Sequence, residues 1–500
     1  MLSMSYALLS LHFLCLFFLC LFGLHRLSMV WRWLRYRKVS AIKPAAFTTL
    51  PKVTIQIPLY NEKLVAERII HAVSKIDYPK DKLQIQIVDD STDDTSSLVA
   101  QAIKPYVEQG INFQHIHRSH RQGYKAGALK AAMDSSSGEF IAIFDADFIP
   151  YSSILKDTID YFNNGKIAML QFRWEHLNRF DSPLTETQAM MLDAHFSLEQ
   201  QVRYGSRVLF NFNGTAGIWR AKAIIDAGHW SDDTLTEDLD LSYRAQLNGW
   251  KLIYLDNITC PGELPADMNA FKSQQHRWSK GGIQVMKKLL LVVWRSPLSF
   301  RHKLESTFHL SNNLAYLIML FDTIFLLVPS LIIREQHQLG NMLWLDLPLL
   351  LLASGGHLIY FFFGQVAQGH SKWRALKNMP RILLLGIQLA FNNAQAAVEA
   401  LRGKQSEFVR TPKKGDKIIS NTKSLASMKE ASLLSKNFYQ AVSPQGGGFE
   451  LLLGVIYSIV FVWGVYHELW LMLPFLLLLM VGFFSTAVNT LKFQYKAGLD

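Results

Sequence analysis

Two carboxylates one residue apart close an apolar run at Ala142-Ile-Phe-Asp-Ala-Asp-Phe148. On an extended strand, alternation would turn Asp145 and Asp147 to the same side, where both could hold one hard cation against a diphosphate. No His or Cys accompanies them, so Mg or Mn suits the pair better than zinc. A strand end alone could also carry Asp-x-Asp. The pair has company, however. Tyr60-Asn61-Glu62 and Asp89-Asp90 follow two earlier apolar runs, Thr236-Glu237-Asp238 comes later, and Gln274-Gln-His-Arg-Trp278 comes last.

These clusters suit transfer of a sugar from a nucleotide-sugar donor. Asp90 could accept a hydrogen bond from a base. His117-Arg118-x-x-Arg121-x-Gly123-Tyr124-Lys125 sets positive charge near a helix N-terminus, a place that favours phosphate oxygens. Glu237 and Asp238 could be plain first-turn acids of a helix capped by Thr236, or Asp238 could act as general base toward an acceptor hydroxyl. Trp278 offers a flat apolar face for a sugar ring, with Gln274 and Arg277 on the same helical side to hold diphosphate or acceptor. A membrane-interface anchor is the plainer role for that tryptophan. Asn213-Gly214-Thr215-Ala-Gly217 is too small and polar for core, and it reads either as an acceptor-side wall or as a loop between strand and helix.

Positioning falls to short apolar strands alternating with amphipathic helices. Strands are expected at Val53–Pro58, Leu83–Val88, Phe140–Phe144 and Met169–Trp174. Helices are expected at Glu62–Ser74, Thr95–Glu108, Gly123–Asp134, Leu184–Tyr204, Thr236–Asn248 and Phe271–Val285. That alternation predicts a mainly parallel α/β sheet covered on both faces, with ligands at the carboxyl ends of the strands.

The 500 residues carry a net charge of +11, and half of them are hydrophobic, gathered toward the two ends. Three cysteines make neither a disulfide framework nor a zinc quartet. Lys and Arg cluster beside the apolar segments, at Arg32–Lys43, Lys372–Arg381 and Arg402–Lys417, which fits anionic lipid better than nucleic acid. Tyr6–Leu24, with its basic flank behind it, reads as a retained membrane helix whose C-terminal end is cytosolic. Further spans are expected at Leu310–Ile333, Leu343–Phe363, around Leu451–Tyr466 and at Trp470–Thr490. Ile382–Leu401 is read as amphipathic or re-entrant, because a crossing there would export the basic loop behind it. The expected division is thus residues 1–40 as helix and flank, 41–290 as catalytic domain, and 291–500 as membrane domain with a cytosolic loop at 402–450.

The runs Gln56-Ile-Pro-Leu-Tyr-Asn-Glu62, Val88-Asp-Asp90, Gly123-Tyr-Lys-Ala-Gly127, Phe144-Asp-Ala-Asp-Phe148, Phe212-Asn-Gly-Thr-Ala-Gly217, Thr236-Glu-Asp238 and Gln274-Gln-His-Arg-Trp278 resemble the family 2 glycosyltransferases, nearest to the cellulose synthase-like group. The resemblance implies a GT-A-like domain between transmembrane helices, and an inverting synthase that exports a β-linked hexose polymer. The expected product is a β-1,4-glucan made from UDP-glucose. The alternatives are a mannan or glucomannan made from GDP-mannose, single transfer to a lipid acceptor, and, last, a non-enzymatic scaffold. By the same resemblance, Asp89, Asp90, Tyr60, Glu62 and Lys125 meet the donor, Asp147 assisted by Asp145 holds Mg or Mn, and Asp238 beside Glu237 is the base. Gln274 and Arg277 hold the diphosphate, and Trp278 the acceptor. The membrane implied is the plasma or inner membrane, with catalysis on the cytosolic side. Phe408-Val-Arg-Thr-Pro-Lys413 resembles the gating loop of such synthases.

Overall fold

The computed structural model describes residues 2–339, 342–404, 413, 415 and 447–497. After a long first helix, Leu2–Tyr36, the chain builds a seven-stranded sheet of β1 (Val53–Leu59), β2 (Leu83–Asp89), β3 (Asn112–His117), β4 (Phe140–Ile143), β5 (Ile167–His176), β6 (Gly217–Arg220) and β7 (Lys251–Gly262). The spatial order is β3-β2-β1-β4-β6-β5-β7. β1 pairs in parallel with β2 and β4, β2 with β3, and β5 with β7, while β6 runs antiparallel between β4 and β5. The expected mainly parallel sheet is therefore present. Of its strands, β3 is too polar, β6 too short and β7 too irregular to have stood out as apolar runs.

One face of β1 and β2 presents Ile and Val, which pack with Ile69, Ile70 and Val73 of the helix Ala66–Ser74 and with Val99 of Thr95–Glu108. The opposite face is polar yet buried. Thr54 bonds Gln84 at 2.8 Å, Gln56 bonds Gln86 at 3.0 Å, and Gln86 reaches Gln114 at 3.1 Å, so a ladder of side-chain bonds offsets much of the cost of that burial, with the Gln56 amide oxygen left over. The chain reverses its direction of travel across the sheet between β1 and β4, and a crevice opens at the carboxyl ends of those neighbours.

Beyond Pro183 a capped helix (Pro183–Asp193) runs into a π-turn, Ala194–Gln200, and on through Gln201–Gly205. The π-turn buries Glu199, which accepts from Arg26 of the first helix at 2.8 Å, from Arg203 at 3.0 Å and from Tyr360 at 3.2 Å. Tyr360 belongs to the helix Leu343–Ala367, which meets the first helix so closely that a Cβ on Gly356 would lie 2.3 Å from the Gly23 carbonyl oxygen.

Among the described residues, five helices are long and apolar enough to cross a bilayer: Met4–Tyr36, Leu314–Gln336, Trp344–Ala367, Gly447–Tyr466 and Leu473–Leu491. Away from their ends, ionisable groups such as Asp322, Asp346 and Glu450 are buried against protein, as expected of charge in hydrocarbon. Asp322 pairs with His12 at 2.8 Å, and Asp346 pairs with Arg334. The segment with ambiguous hydropathy is one helix, Lys372–Leu401, not among those five, and it lies along the helix Met268–Arg295. Two of the polar residues that made it ambiguous bond that neighbour, while Gln388 donates to Ser485 of the last helix at 2.9 Å. Asn392 donates to the Lys272 carbonyl at 3.0 Å, and Glu399 accepts from Lys280 at 3.0 Å.

Breaking the Glu199 pair should be costly. Arg26→Met is expected to lower stability by about 3 kcal/mol, because a buried carboxylate then loses one of its two guanidinium partners. Thermal melting in detergent would register this, and Glu199→Gln in the same background should recover part of it. An unchanged midpoint for the single variant would mean that water reaches Glu199.

Candidate active site

The crevice at the β1–β4 junction widens into a cleft, and most of the residues expected at a site line it. Tyr60, Glu62, Asp90 and Lys125 line it together with a floor of Asp145, Asp147, Asn213 and Gly214 and a wall of Glu237, Asp238, Gln274, Arg277 and Trp278.

Strand alternation is not what brings the two floor acids together. β4 stops at Ile143, and Asp145–Phe148 form a turn, closed by the Phe148 amide donating to the Asp145 carbonyl at 3.0 Å. Thr215 holds that turn by accepting the Asp145 amide at 2.8 Å. It is 1 % exposed and lies outside the cleft, so it braces an acid where an acceptor contact was expected. Asp89 also lies outside the cleft. Its carboxylate pairs with His115 at 2.9 Å and accepts the Ser91 amide at 2.8 Å; burial works to raise it, but these bonds hold it well below the usual carboxylate range. The donor contact expected of Asp89 thus gives way to bracing at the end of β2. Arg118, expected to face phosphate, instead grips Asp90 with two bonds of 2.6 and 2.5 Å. Arg121 lies over the Tyr60 ring at 3.4 Å, inside the cleft.

Four acids share this wall and floor. Burial raises Asp145 above the usual carboxylate value, against the pull of Lys125, whose ammonium donates to Asp145 at 2.6 Å and to the Gly214 carbonyl at 2.9 Å. Burial also raises Glu237. Burial, and then the Glu237 carboxylate, push Asp238 up to about 7. Among the described residues Asp147 meets Lys413, whose ammonium lies 2.5 Å from its carboxylate and 2.5 Å from the Glu263 carbonyl. Lys413 is the described residue of the run that resembles a gating loop; residues 405–412, 414 and 416–446 of the basic loop lie outside those described.

Asp145 and Asp147 fit a hard divalent cation. Both face one cleft, both already attract ammonium groups, and no set of three His, Cys, Asp or Glu surrounds them among the described residues. Two carboxylates completed by diphosphate oxygens is the way Mg is commonly held.

Glu237 and Asp238 open the helix Glu237–Leu247, and Asp238 accepts the Leu239 amide at 2.8 Å. Thr236 makes no side-chain cap; its hydroxyl is buried under Gly281, where a Cβ would lie 2.7 Å from the oxygen. That close contact seats the helix Met268–Arg295, capped by Asp267, so that Gln274, Arg277 and Trp278 share one side and reach the cleft. Two further lining residues, Trp174 and His176, are absent from the motif-based set. The signal was there: they alternate on β5, so one face of the strand carries both.

A family model described as "Glycosyltransferase like family 2" matches residues 51–281. Glucomannan 4-beta-mannosyltransferase 1 of Cyamopsis tetragonoloba is 38% identical over 307 residues, 60% of this chain and 58% of that relative. The protein of the same name from Oryza sativa subsp. japonica is 34% identical over 401 residues, 77% of this chain and 73% of its own. Glucomannan 4-beta-mannosyltransferase 7 of Arabidopsis thaliana is 43% identical over 251 residues, 49% and 45% of the two chains. The chain therefore spans from about half to about three quarters of these relatives' lengths. Among solved structures, the Pyrobaculum calidifontis mannosyltransferase PcManGT, in complex with GDP-Man and Mn2+, aligns at a TM-score of 0.47 and 18% identity over 81% of this chain and 99% of its own. By its sequence relatives, the chain belongs to the family 2 glycosyltransferases, in the cellulose synthase-like branch that holds the plant glucomannan 4-beta-mannosyltransferases.

Proposed function

We propose that this chain is an inverting, metal-dependent hexosyltransferase that polymerises a β-1,4-linked hexan on the cytosolic side of a plasma or inner membrane and passes it out between its helices. The observation that carries the reading is Asp238, a half-buried carboxylate that desolvation and Glu237 push up to about 7, in one cleft with the Asp145–Asp147 floor and the Trp278 wall. The relatives' names speak of mannosyl transfer and a 4-beta linkage, which favours the mannan alternative, made from GDP-mannose, over a glucan made from UDP-glucose.

In this scheme Asp90, Tyr60 and Glu62 receive the nucleoside, while Lys125 and Arg277 hold the diphosphate. Asp145 and Asp147 would hold Mg2+ or Mn2+, which when bound offsets the charge of the departing diphosphate. Asp238 takes the proton of the acceptor hydroxyl. The freed oxygen attacks the anomeric carbon from the side opposite the diphosphate, one C–O bond forms as the other breaks, and the configuration inverts. Trp278 supports the acceptor ring during the attack.

Purified full-length protein in lipid, given GDP-mannose or UDP-glucose with Mg or Mn, should make a β-1,4-linked, alkali-insoluble polymer from GDP-mannose. A product of one or two sugars on lipid would overturn polymerisation. Asp147→Ala should cut transfer by more than about 100-fold and abolish metal-dependent nucleotide binding. Since only ionised Asp238 accepts a proton, kcat/KM should plateau above about pH 7 and decline as the pH drops through it, in step with the free-enzyme carboxyl. A profile flat from pH 5.5 to pH 8 would assign the base elsewhere. At Gly214, φ is +81° and a Cβ would sit 3.2 Å from Asp238 and 3.6 Å from Lys125. Gly214→Ala is therefore expected to cost about 1 kcal/mol in stability and at least about tenfold in kcat.

A further inference from the structure

The π-turn Ala194–Gln200 brings two side chains to one amide on the cleft floor. His195 and Gln200 are five residues apart, and on an α-helix they would diverge by about 140°. The wider turn lets them converge. His195 Nε2 lies 2.8 Å from Asn213 Nδ2, and Gln200 Nε2 lies 2.6 Å from Asn213 Oδ1. Asn213 is half-buried and lines the cleft, whereas His195 and Gln200 do not line it, so both act on the floor through that amide.

The direction of each bond follows from its neighbour. Gln200 Nε2 also donates to the Asn211 carbonyl at 2.8 Å, an atom that can only accept, so its amide has one orientation. Asn213 therefore turns its oxygen to Gln200 and its nitrogen to His195. An amide nitrogen only donates, so His195 Nε2 accepts and the ring proton sits on Nδ1. The Glu199 carboxylate stands 3.6 Å from Nδ1 and favours that tautomer. Burial works to raise Glu199, but Arg26, Arg203 and His195 hold it well below the usual carboxylate range, so it stays an acceptor.

With one N–H given to His195 and one lone pair taken by Gln200, the Asn213 amide keeps one donor and one acceptor. That is the complement of a hydroxyl, which both donates and accepts. The Asn213 backbone is held as well, its amide donating to Gln171 at 2.8 Å. The next residue is Gly214, where a Cβ would lie 3.2 Å from the Asp238 carboxylate, so a hydroxyl bound by Asn213 is delivered beside that acid.

We propose that His195, backed by Glu199 and partnered by Gln200, is a positioning residue that aims the Asn213 amide at the attacking hydroxyl of the acceptor sugar beside Asp238. This rests on the reading of Asp238 as the base of a sugar transfer, and it ties the cleft floor to Arg26 of the first helix through Glu199.

The test uses the full chain in nanodiscs, turning over whichever of GDP-mannose and UDP-glucose the wild type accepts, with GDP and UDP as probes of the donor side. His195→Phe removes the accepting nitrogen at similar size. It should lower kcat at least about tenfold while Kd for the nucleotide stays within twofold of wild type. His195→Gln, whose carbonyl can accept from Asn213 while its amide faces Glu199, should restore kcat to within about threefold of wild type. Because His195 acts through Asn213, His195→Phe combined with Asn213→Ala should lose no more than Asn213→Ala alone. His195→Met serves the same comparisons where the phenylalanine variant does not fold. The positioning role would be overturned, with the transferase reading left intact, by any of four results: a folded His195→Phe or His195→Met protein with kcat within twofold of wild type, losses that multiply in the double variant, nucleotide binding that weakens in step with the rate, or a His195→Gln protein no faster than His195→Phe. A wild-type protein that transfers sugar from neither donor would overturn both.

Discussion

Everything in the cleft is arranged around a concentration of negative charge that water alone does not balance. Asp145, Glu237 and Asp238 are all raised by burial, and Asp147 lies on the same floor. Lys125 is the pivot. Its ammonium bonds Asp145 and the Gly214 carbonyl, and its charge pulls against the burial of Glu237 and Asp238. The glycine at that point is what allows base, ammonium and floor to approach one another. On the proposed reading, proton acceptance by Asp238 near neutrality and attraction for a cation-bound diphosphate would share one electrostatic origin, which would couple substrate binding to the protonation of Asp238.

The fold was legible where periodicity was strong. The 95–108 helix falls on its expected limits, and β1, β2 and β4 lie within a residue of theirs, because apolar runs bounded by turn residues leave little choice. The strands that escaped have physical excuses. β3 is an edge strand of Asn, Gln and His, β6 has four residues, and β7 is interrupted by a register shift against β5. At the site, residue types were readable but their aim was not. Asp145 and Asp147 share a floor through a turn braced by Thr215, while Asp89, which looked equivalent to its neighbour, points into a histidine. A carboxylate's partner depends on what the fold delivers opposite it. No spacing rule supplies that information for residues as far apart as Lys413 and Asp147.

The tryptophan helix shows how the catalytic and membrane-proximal parts share components. Its start is capped at Asp267, its middle rests on Thr236 through Gly281, and its length is shadowed by Lys372–Leu401. The asparagines and glutamate of that shadowing helix look like poor membrane residues, and they are good packing residues here because another helix presents carbonyls and ammonium groups to them. Hydropathy alone does not separate those two situations.

Glu199 has a practical corollary. Its positive partners come from both sides of the boundary at which one would naturally cut the gene, Arg203 from within and Arg26 from the leading helix, with the Tyr360 hydroxyl from a third segment. A recombinant fragment trimmed to the sheet and its helices would leave that buried acid with Arg203 as its remaining guanidinium partner and would invite aggregation. Solubilisation protocols that keep the helical bundle intact are in that sense part of the protein's folding conditions.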